Sequence, residues 1–381
     1  MALNPDSSNA LGENKEYLTG QIITYIGNKR SLIDFITKGI QIVQKRLNKN
    51  KLDIFDVFTG SGIVVRHCKQ FSRLIIANDL EKYAAITGEC YLSNKDELDI
   101  PFLQDMYKGI IEKTDENYLK EGMIAELYSP KNDNDVQSDE RVFYTRRNAM
   151  YIDTVRNHIE SIPAQYQKYF LAPLIAKASV HTNTSGVFKG FHKDRETGIG
   201  QFGGSKSDAL FRIKGDIVLP FPVFSNFNCE YKVYNGDANV VVKQAPEVDL
   251  AYLDPPYNQH PYGSNYFMLN LILEYKHPEN VSKVSGIPDN WNRSAYNKKQ
   301  FAFTALTDLI ANIKAKFILV SFNSEGFIPL EEMLAMLKKV GKVLVLETAY
   351  NTFRGCRNLS SLAEKGARDI HVKEYLYLVE K

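Results

Sequence analysis

Cysteine is scarce in this chain: four residues, Cys68, Cys90, Cys229 and Cys356, stand among 381 with no close pair. That dispersal excludes a disulfide framework and a thiolate zinc site, and it fits a reducing, cytoplasmic setting. Long apolar runs are missing too. None approaches the roughly 18 residues of a transmembrane helix, and residues 1–16 lack the apolar core of a signal peptide, so no membrane role is expected. Nor does charge of one sign prevail, since 47 Lys and Arg face 45 Asp and Glu for a formal net charge of +2. Any polyanion must therefore be held by local basic patches. Tryptophan occurs once against 22 Tyr and 21 Phe, an excess that suits an ordinary core as well as base stacking. No phosphate-loop signature occurs, and the Gly-x-Gly turn at Gly60-Ser61-Gly62 lacks the third glycine of a nicotinamide site. His181, His192, His260 and His277 include no i, i+4 pair, so no metal site is expected.

What is present is a globular composition, 44% hydrophobic and 24% charged, in a chain long enough for one large domain or two ordinary ones. Residues 4–14 are rich in Asn and Ser, so residues 1–16 read as a disordered tail. A strand at 53–58 runs into a glycine turn at 59–62, and a helix follows at 63–70. A strand at 73–77 then stops at Asn78-Asp79, with a helix at 82–91, which makes a βαβ beginning. From 96 to 228 this alternation is lost, with helices expected at 141–160 and 165–179 and a glycine-rich charged stretch up to 215. Strands at 230–234, 248–253, 316–320, 343–346 and 374–379 resume a central sheet. The stretch 276–300 lacks periodicity and reads as a long surface loop.

Chemistry concentrates at Asp254-Pro255-Pro256-Tyr257, which the apolar strand 248–253 delivers to the carboxyl edge of a sheet, where open α/β folds bind ligands. The adenine amino group is a poor nucleophile because its lone pair is delocalised into the ring. The Asp254 carboxylate and the Pro255 carbonyl offer it two hydrogen-bond acceptors. Consecutive prolines fix φ and aim that carbonyl rigidly, and Tyr257 offers a stacking surface for a base rotated out of a duplex. The alternative is a plain strand-ending turn. Against it stands the ordered company of the tetrad: Tyr25, Gly27 and Lys29, then Asp56, Phe58, Gly60 and Gly62 in the glycine turn, then Asp79. Gly60 and Gly62 allow close backbone approach to a ligand, and Asp79 can accept both ribose hydroxyls or cap the helix after it. Together they suggest an adenosyl group.

These motifs resemble the Dam-type family of adenine-specific DNA methyltransferases, and the stretch from Asn183 to Gly204 with that from Tyr257 to Tyr266 resembles its restriction-modification branch. Tyr25-Ile26-Gly27-Asn28-Lys29 resembles that family's aromatic-x-Gly-x-Lys cofactor motif, residues 56–62 its glycine motif, and Asp79 its ribose-binding acid. Asp237 and Ala238, in Tyr234-Asn235-Gly236-Asp237-Ala238, resemble a further cofactor motif. Ser321 to Gly326 and the terminal strand read as structural family features. The resemblance implies an α/β class I S-adenosylmethionine-dependent methyltransferase fold, a Rossmann-like mixed sheet with an inserted, largely helical target-recognition region. Residues 17–95 and 229–381 would form the catalytic domain and 96–228 the insertion. Double-stranded DNA is the implied partner, with S-adenosylmethionine as cofactor, direct methyl transfer to a flipped adenine, a monomeric enzyme, and a separately encoded restriction endonuclease as counterpart.

Lys189, His192, Lys193, Arg195, Lys206 and Arg212, spread among glycines and aromatics, would form a flexible basic surface for phosphates and base edges. The alternative for them is a solvated charged loop. Of the adjacent Arg146 and Arg147, which splay apart on a helix, at most one would face DNA. Two rival functions remain at this point, an RNA base methyltransferase acting on exocyclic amines and an inactive DNA-binding regulator with the same fold.

Overall fold

A computed structural model describes residues 12–207, 209–351 and 371–381. Seven strands form one mixed sheet: β1 Leu52–Asp56, β2 Ser72–Asp79, β3 Glu230–Asn235, β4 Val248–Leu253, β5 Ala315–Asn323, β6 Lys342–Asn351 and β7 His371–Glu380, in the order β3-β2-β1-β4-β5-β7-β6. The first five are parallel, and β7 inserts antiparallel between β5 and β6. This is the class I methyltransferase fold expected from the motifs.

The central strands are apolar on both faces because both faces are covered. Along β1, Ile54 packs with the helices Ile33–Leu47 and Ile63–Cys68, while Phe55 packs with Ala238–Gln244, Lys299–Asn312 and Leu330–Lys338. The same alternation runs through β4, where Leu250 and Tyr252 face one layer and Ala251 and Leu253 the other. Strand order reverses between β1 and β4. Their carboxyl ends therefore flank a crevice, the position at which such sheets take ligands.

The insertion contributes helices Ile100–Ile111, Met123–Tyr128, Arg146–Glu160, Ala164–Val180 and Leu210–Lys214. Thr145 explains why the expected helix at 141 starts five residues later, since its side chain accepts from the Asn148 N–H as an N-cap. The first four of these share a single core with Lys82–Tyr91 and Phe267–Glu274, through residues such as Tyr83, Ile152, Phe170 and Met268, while Ile213 of the fifth packs in a small separate cluster with Val142 and Phe202. Residues 96–228 thus pack onto the helices that flank the sheet.

Order begins before Tyr17. Glu13 is buried and accepts from Ser225 Oγ and the Asn226 N–H, and Asn14 caps the helix Lys15–Thr19. Residues 1–11 of the expected tail lie outside the described residues, as does Cys356. Cys68, Cys90 and Cys229 are free and buried. No described helix is long and apolar enough to cross a membrane.

Candidate active site

The turn after β1 carries two glycines in the left-handed region, Gly60 at φ +54° and Gly62 at φ +81°. Both conformations are strained for residues with a Cβ. A Cβ on Gly60 would also stand 3.1 Å from the Tyr25 ring. The turn is pinned to the end of β2: Gly60 donates its N–H to Asp79 Oδ2 at 2.7 Å, and Thr59 donates to the Asn78 carbonyl at 2.9 Å. Asp79 also accepts from the Glu81 N–H at 2.9 Å. It does not cap the following helix, whose N-cap is Glu81. Burial pushes the Asp79 carboxyl up to about 6, against the N–H bonds of Glu81, Gly60 and Leu80 that hold it down.

Across the crevice, Asp254 follows the fully buried β4. The Lys29 ammonium lies 3.2 Å from Asp254 Oδ1 and 3.9 Å from Glu374 Oε1, and 5.4 Å above the centre of the Tyr257 ring. The approach to Asp254 is close but off the line of a well-formed hydrogen bond. Lys29 is only 3% exposed. Burial alone would lower its pKa, but Asp254, Tyr257 and Glu374 outweigh that and hold the ammonium above the ordinary lysine value. Burial raises the carboxyls of Asp254 and Glu374, and Lys29 opposes the rise in both. Asp56, at the end of β1, is 1% exposed. Its oxygens make no well-formed hydrogen bond, and burial, then Asp254 and Asp79, push its carboxyl far above the carboxylate range. One buried ammonium is thus shared by two carboxyls, Asp254 and Glu374, and Asp56 adds a third that interacts with Asp254.

The N-terminal segment closes one side. The Tyr25 ring stacks on Tyr262 with centroids 4.9 Å apart and on Tyr266 at 4.7 Å. Tyr266 Oη also accepts the Ile26 N–H. Gly27, at φ +76°, makes the turn that carries Lys29 inward, and a Cβ there would meet the hydroxyls of Tyr262 and Tyr257. The result is a pocket of about 850 Å³ open to solvent, lined by Tyr25, Gly27, Lys29, Phe58, Gly60, Asp79, Asp237, Ala238, Asp254 and Pro256 among others. The expected residues Asp56, Gly62, Pro255 and Tyr257 do not line it directly. Asp56 lies beneath it, and Gly62 is the N-cap that turns the chain into the helix Ile63–Cys68. Asp237 caps the helix Ala238–Gln244 by accepting from the Asn239 N–H.

The sequence profile of the D12 class N6 adenine-specific DNA methyltransferases matches residues 25–336. The chain belongs to this family. Relatives span most of its length: it is 29% identical over 365 residues to the type II methyltransferase M.CviAII of Paramecium bursaria Chlorella virus 1, covering 94% of this chain and 98% of that protein. It is 27% identical over 368 residues to the type II methyltransferase M.NlaIII of Neisseria lactamica, covering 94% and 99%. A third relative, the type II methyltransferase M.FokI of Planomicrobium okeanokoites, is 28% identical over 371 residues, covering 94% of this chain but 52% of that protein. Membership implies S-adenosylmethionine as methyl donor and DNA as the molecule acted on, and it removes the RNA-enzyme and inactive-regulator readings.

The methyltransferase spreads its six basic candidates unevenly. Lys189, Arg195 and Lys206 are exposed. Lys189 is near enough to His260, in the loop after the tetrad, to join burial in lowering that imidazole's pKa. His192 is half-buried and its backbone pairs with Asn183 and Gln201, and Lys193 lies over the Phe191 ring at 5.1 Å. Arg212 behaves differently. Its guanidinium donates to the carbonyls of Val180, Thr182 and Thr184, which places it in the scaffold. Arg146 and Arg147 are also committed, to the Ala125 and Ile217 carbonyls and to Glu121 and Glu116.

Two parts of the site escaped the sequence reading. The stretch read as a surface loop folds back, so that Asn292, Ser294, Tyr296 and Asn297 line the pocket. Asn292 donates to the Leu80 carbonyl and to Glu81 Oε2, Asn297 to the Asn258 carbonyl, and Tyr296 stands edge-on to Phe58 at 5.1 Å. Its run of Asn and Ser was the only signal. Glu374, read as part of a structural strand, reaches Lys29.

Proposed function

We propose that this enzyme transfers a methyl group from S-adenosylmethionine, held between the glycine turn and Asp79, to the exocyclic amine of an adenine flipped out of duplex DNA and received by Asp254. The donor set fits that cofactor. Asp79 keeps a carboxylate edge at the pocket wall for ribose hydroxyls, and Tyr25 and Phe58 offer planar surfaces. The carboxyls of Asp254 and Glu374, incompletely matched by the single ammonium of Lys29, suit a ligand carrying positive charge. When bound, S-adenosylmethionine supplies an electrophilic methyl on a cationic sulfur. The chain's own work is positioning: the Asp254 carboxylate and the Pro255 carbonyl accept from the target amine and localise its lone pair, and Tyr257 presents its ring to the base. Excluding water strengthens both acceptors.

The observation that carries this reading is the convergence of Asp254, Lys29 and the Gly60-Asp79 pair on one crevice between β1 and β4. Asp254→Ala should abolish methyl transfer to duplex DNA while cofactor still binds in calorimetry. Near-normal transfer by that variant would sink the mechanism. We further infer, from the type II relatives, that the protein is the modification member of a restriction-modification system, working as a cytoplasmic monomer beside a separately encoded endonuclease. Residues 96–228 would read the target, with Lys189, Arg195 and Lys206 on phosphates. Modification-sensitive sequencing of DNA from a methylation-deficient host expressing the chain would report base and site together.

A further inference from the structure

Glu374 lies at the N-terminal end of the last strand, paired with Asn323 of β5 and Thr348 of β6. It is 3% exposed. Two residues on, and on the same face, Leu376 and then Leu378 pack into the apolar layer under the sheet. A carboxylate in that row is costly unless paired, yet Oε2 is buried without a hydrogen-bond partner among the described residues. Oε1 faces Lys29 at 3.9 Å, while the same ammonium stands 3.2 Å from Asp254. An apolar residue at 374 would serve the sheet better. Among the described residues, Lys29 is the ionic partner of this acid.

We propose that Glu374 is a positioning residue for methyl transfer: it shares the Lys29 ammonium with Asp254, so that Asp254 is held in place yet left only partly neutralised as the acceptor of the target amine. This rests on the reading of Asp254 given above. A lysine bound to Asp254 alone would form a tighter pair and withdraw the carboxylate's lone pairs from the substrate. A second carboxylate behind the ammonium draws it back. The charged and titratable groups facing Asp254 are Lys29 from the N-terminal segment, Glu374 from β7, Asp56 from β1, Tyr252 from β4, and Tyr257 and Tyr262 from the loop that follows. Of these, only Lys29 is a cation, so the placement of its charge sets the acceptor strength of Asp254.

The test compares Glu374→Gln, Glu374→Asp and Asp254→Ala in the full-length enzyme by single-turnover methylation of duplex DNA across pH, cofactor calorimetry and thermal melting. Glu374→Gln should slow transfer by about 10- to 100-fold, the range for outer partners of a catalytic group, with cofactor affinity and DNA KM within roughly threefold of wild type. Its acid limb should move to lower pH, because the undivided ammonium holds Asp254 ionised further into acid. Its melting temperature should not fall, since a buried, half-satisfied charge is removed. Glu374→Asp, which restores the charge, should recover part of both rate and limb. A Glu374→Gln enzyme with wild-type rate and acid limb overturns the proposal, and so does a loss that follows only the melting temperature. If Asp254→Ala still methylates, the reading of Asp254 itself fails, an outcome distinct from either.

Discussion

Replacing Lys29 with Met keeps the aliphatic stem and deletes the cation that Asp254 and Glu374 share. At the observed 3.2 Å, two unit charges attract by about 5 kcal/mol at an effective dielectric of about 20. Breaking one side of a buried pair typically costs about 3–5 kcal/mol. The cost should depend on pH in a definite direction. Asp254, Glu374 and Asp56 already have raised carboxyls, and loss of Lys29 raises the first two further. A raised carboxyl favours folding in acid, where it is protonated in both states, and that contribution is lost as pH climbs through the folded value. The variant should therefore be destabilised by the full amount near neutral pH and much less near about pH 5. Chemical denaturation of wild type and variant at both pH values measures the difference. The acid limb of single-turnover methylation should shift upward, opposite to the shift expected for Glu374→Gln. Equal destabilisation at both pH values, or an unmoved acid limb, would refute the assignment of Lys29 as the counter-ion.

The Asp79 carboxyl, pushed up to about 6, should make cofactor affinity fall as pH drops below that value, because only the ionised form accepts from two ribose hydroxyls. Calorimetry should show this in wild type and a weaker, flat profile in Asp79→Asn; a flat wild-type profile would count against the role. On the DNA side, Lys189→Ala, Arg195→Ala and Lys206→Ala should each reduce the slope of log affinity against log salt by about one. Arg212→Ala should leave that slope alone and cost about 1–3 kcal/mol of stability, through the carbonyls it now satisfies. A salt slope reduced by Arg212→Ala and untouched by the other three would reverse their assignment.

Much of this enzyme was legible because its strands are short apolar runs ending in chemistry. Val248 to Leu253 is buried throughout, so the run announces a central strand and its end announces Asp254. The helix at Lys82–Tyr91 was equally plain, set off by Asn78-Asp79 before it. The basic segment was less legible. Lysines and arginines look alike in sequence, and only the carbonyls around Arg212 distinguish a structural guanidinium from one facing solvent. The loop holding Asn292 and Asn297 carried no periodicity, because these side chains are spent on individual polar partners, the Leu80, Asn258 and His260 carbonyls and the Glu81 carboxylate, rather than on a face.

By itself the sequence determined the alternation that makes a mostly parallel sheet, the glycine turn, and the order in which Tyr25, Lys29, Gly60, Asp79 and Asp254 appear. Each rests on local physics: buried strands must be apolar, a left-handed turn requires glycine, and strand ends project acids into a crevice. Tertiary structure alone decided that Glu374 belongs to the site. The last strand runs antiparallel to its neighbours, so its beginning, not its end, lies at the carboxyl edge of the sheet beside Asn323. A buried acid at the start of a terminal strand looks structural in sequence, and strand direction places it against Lys29.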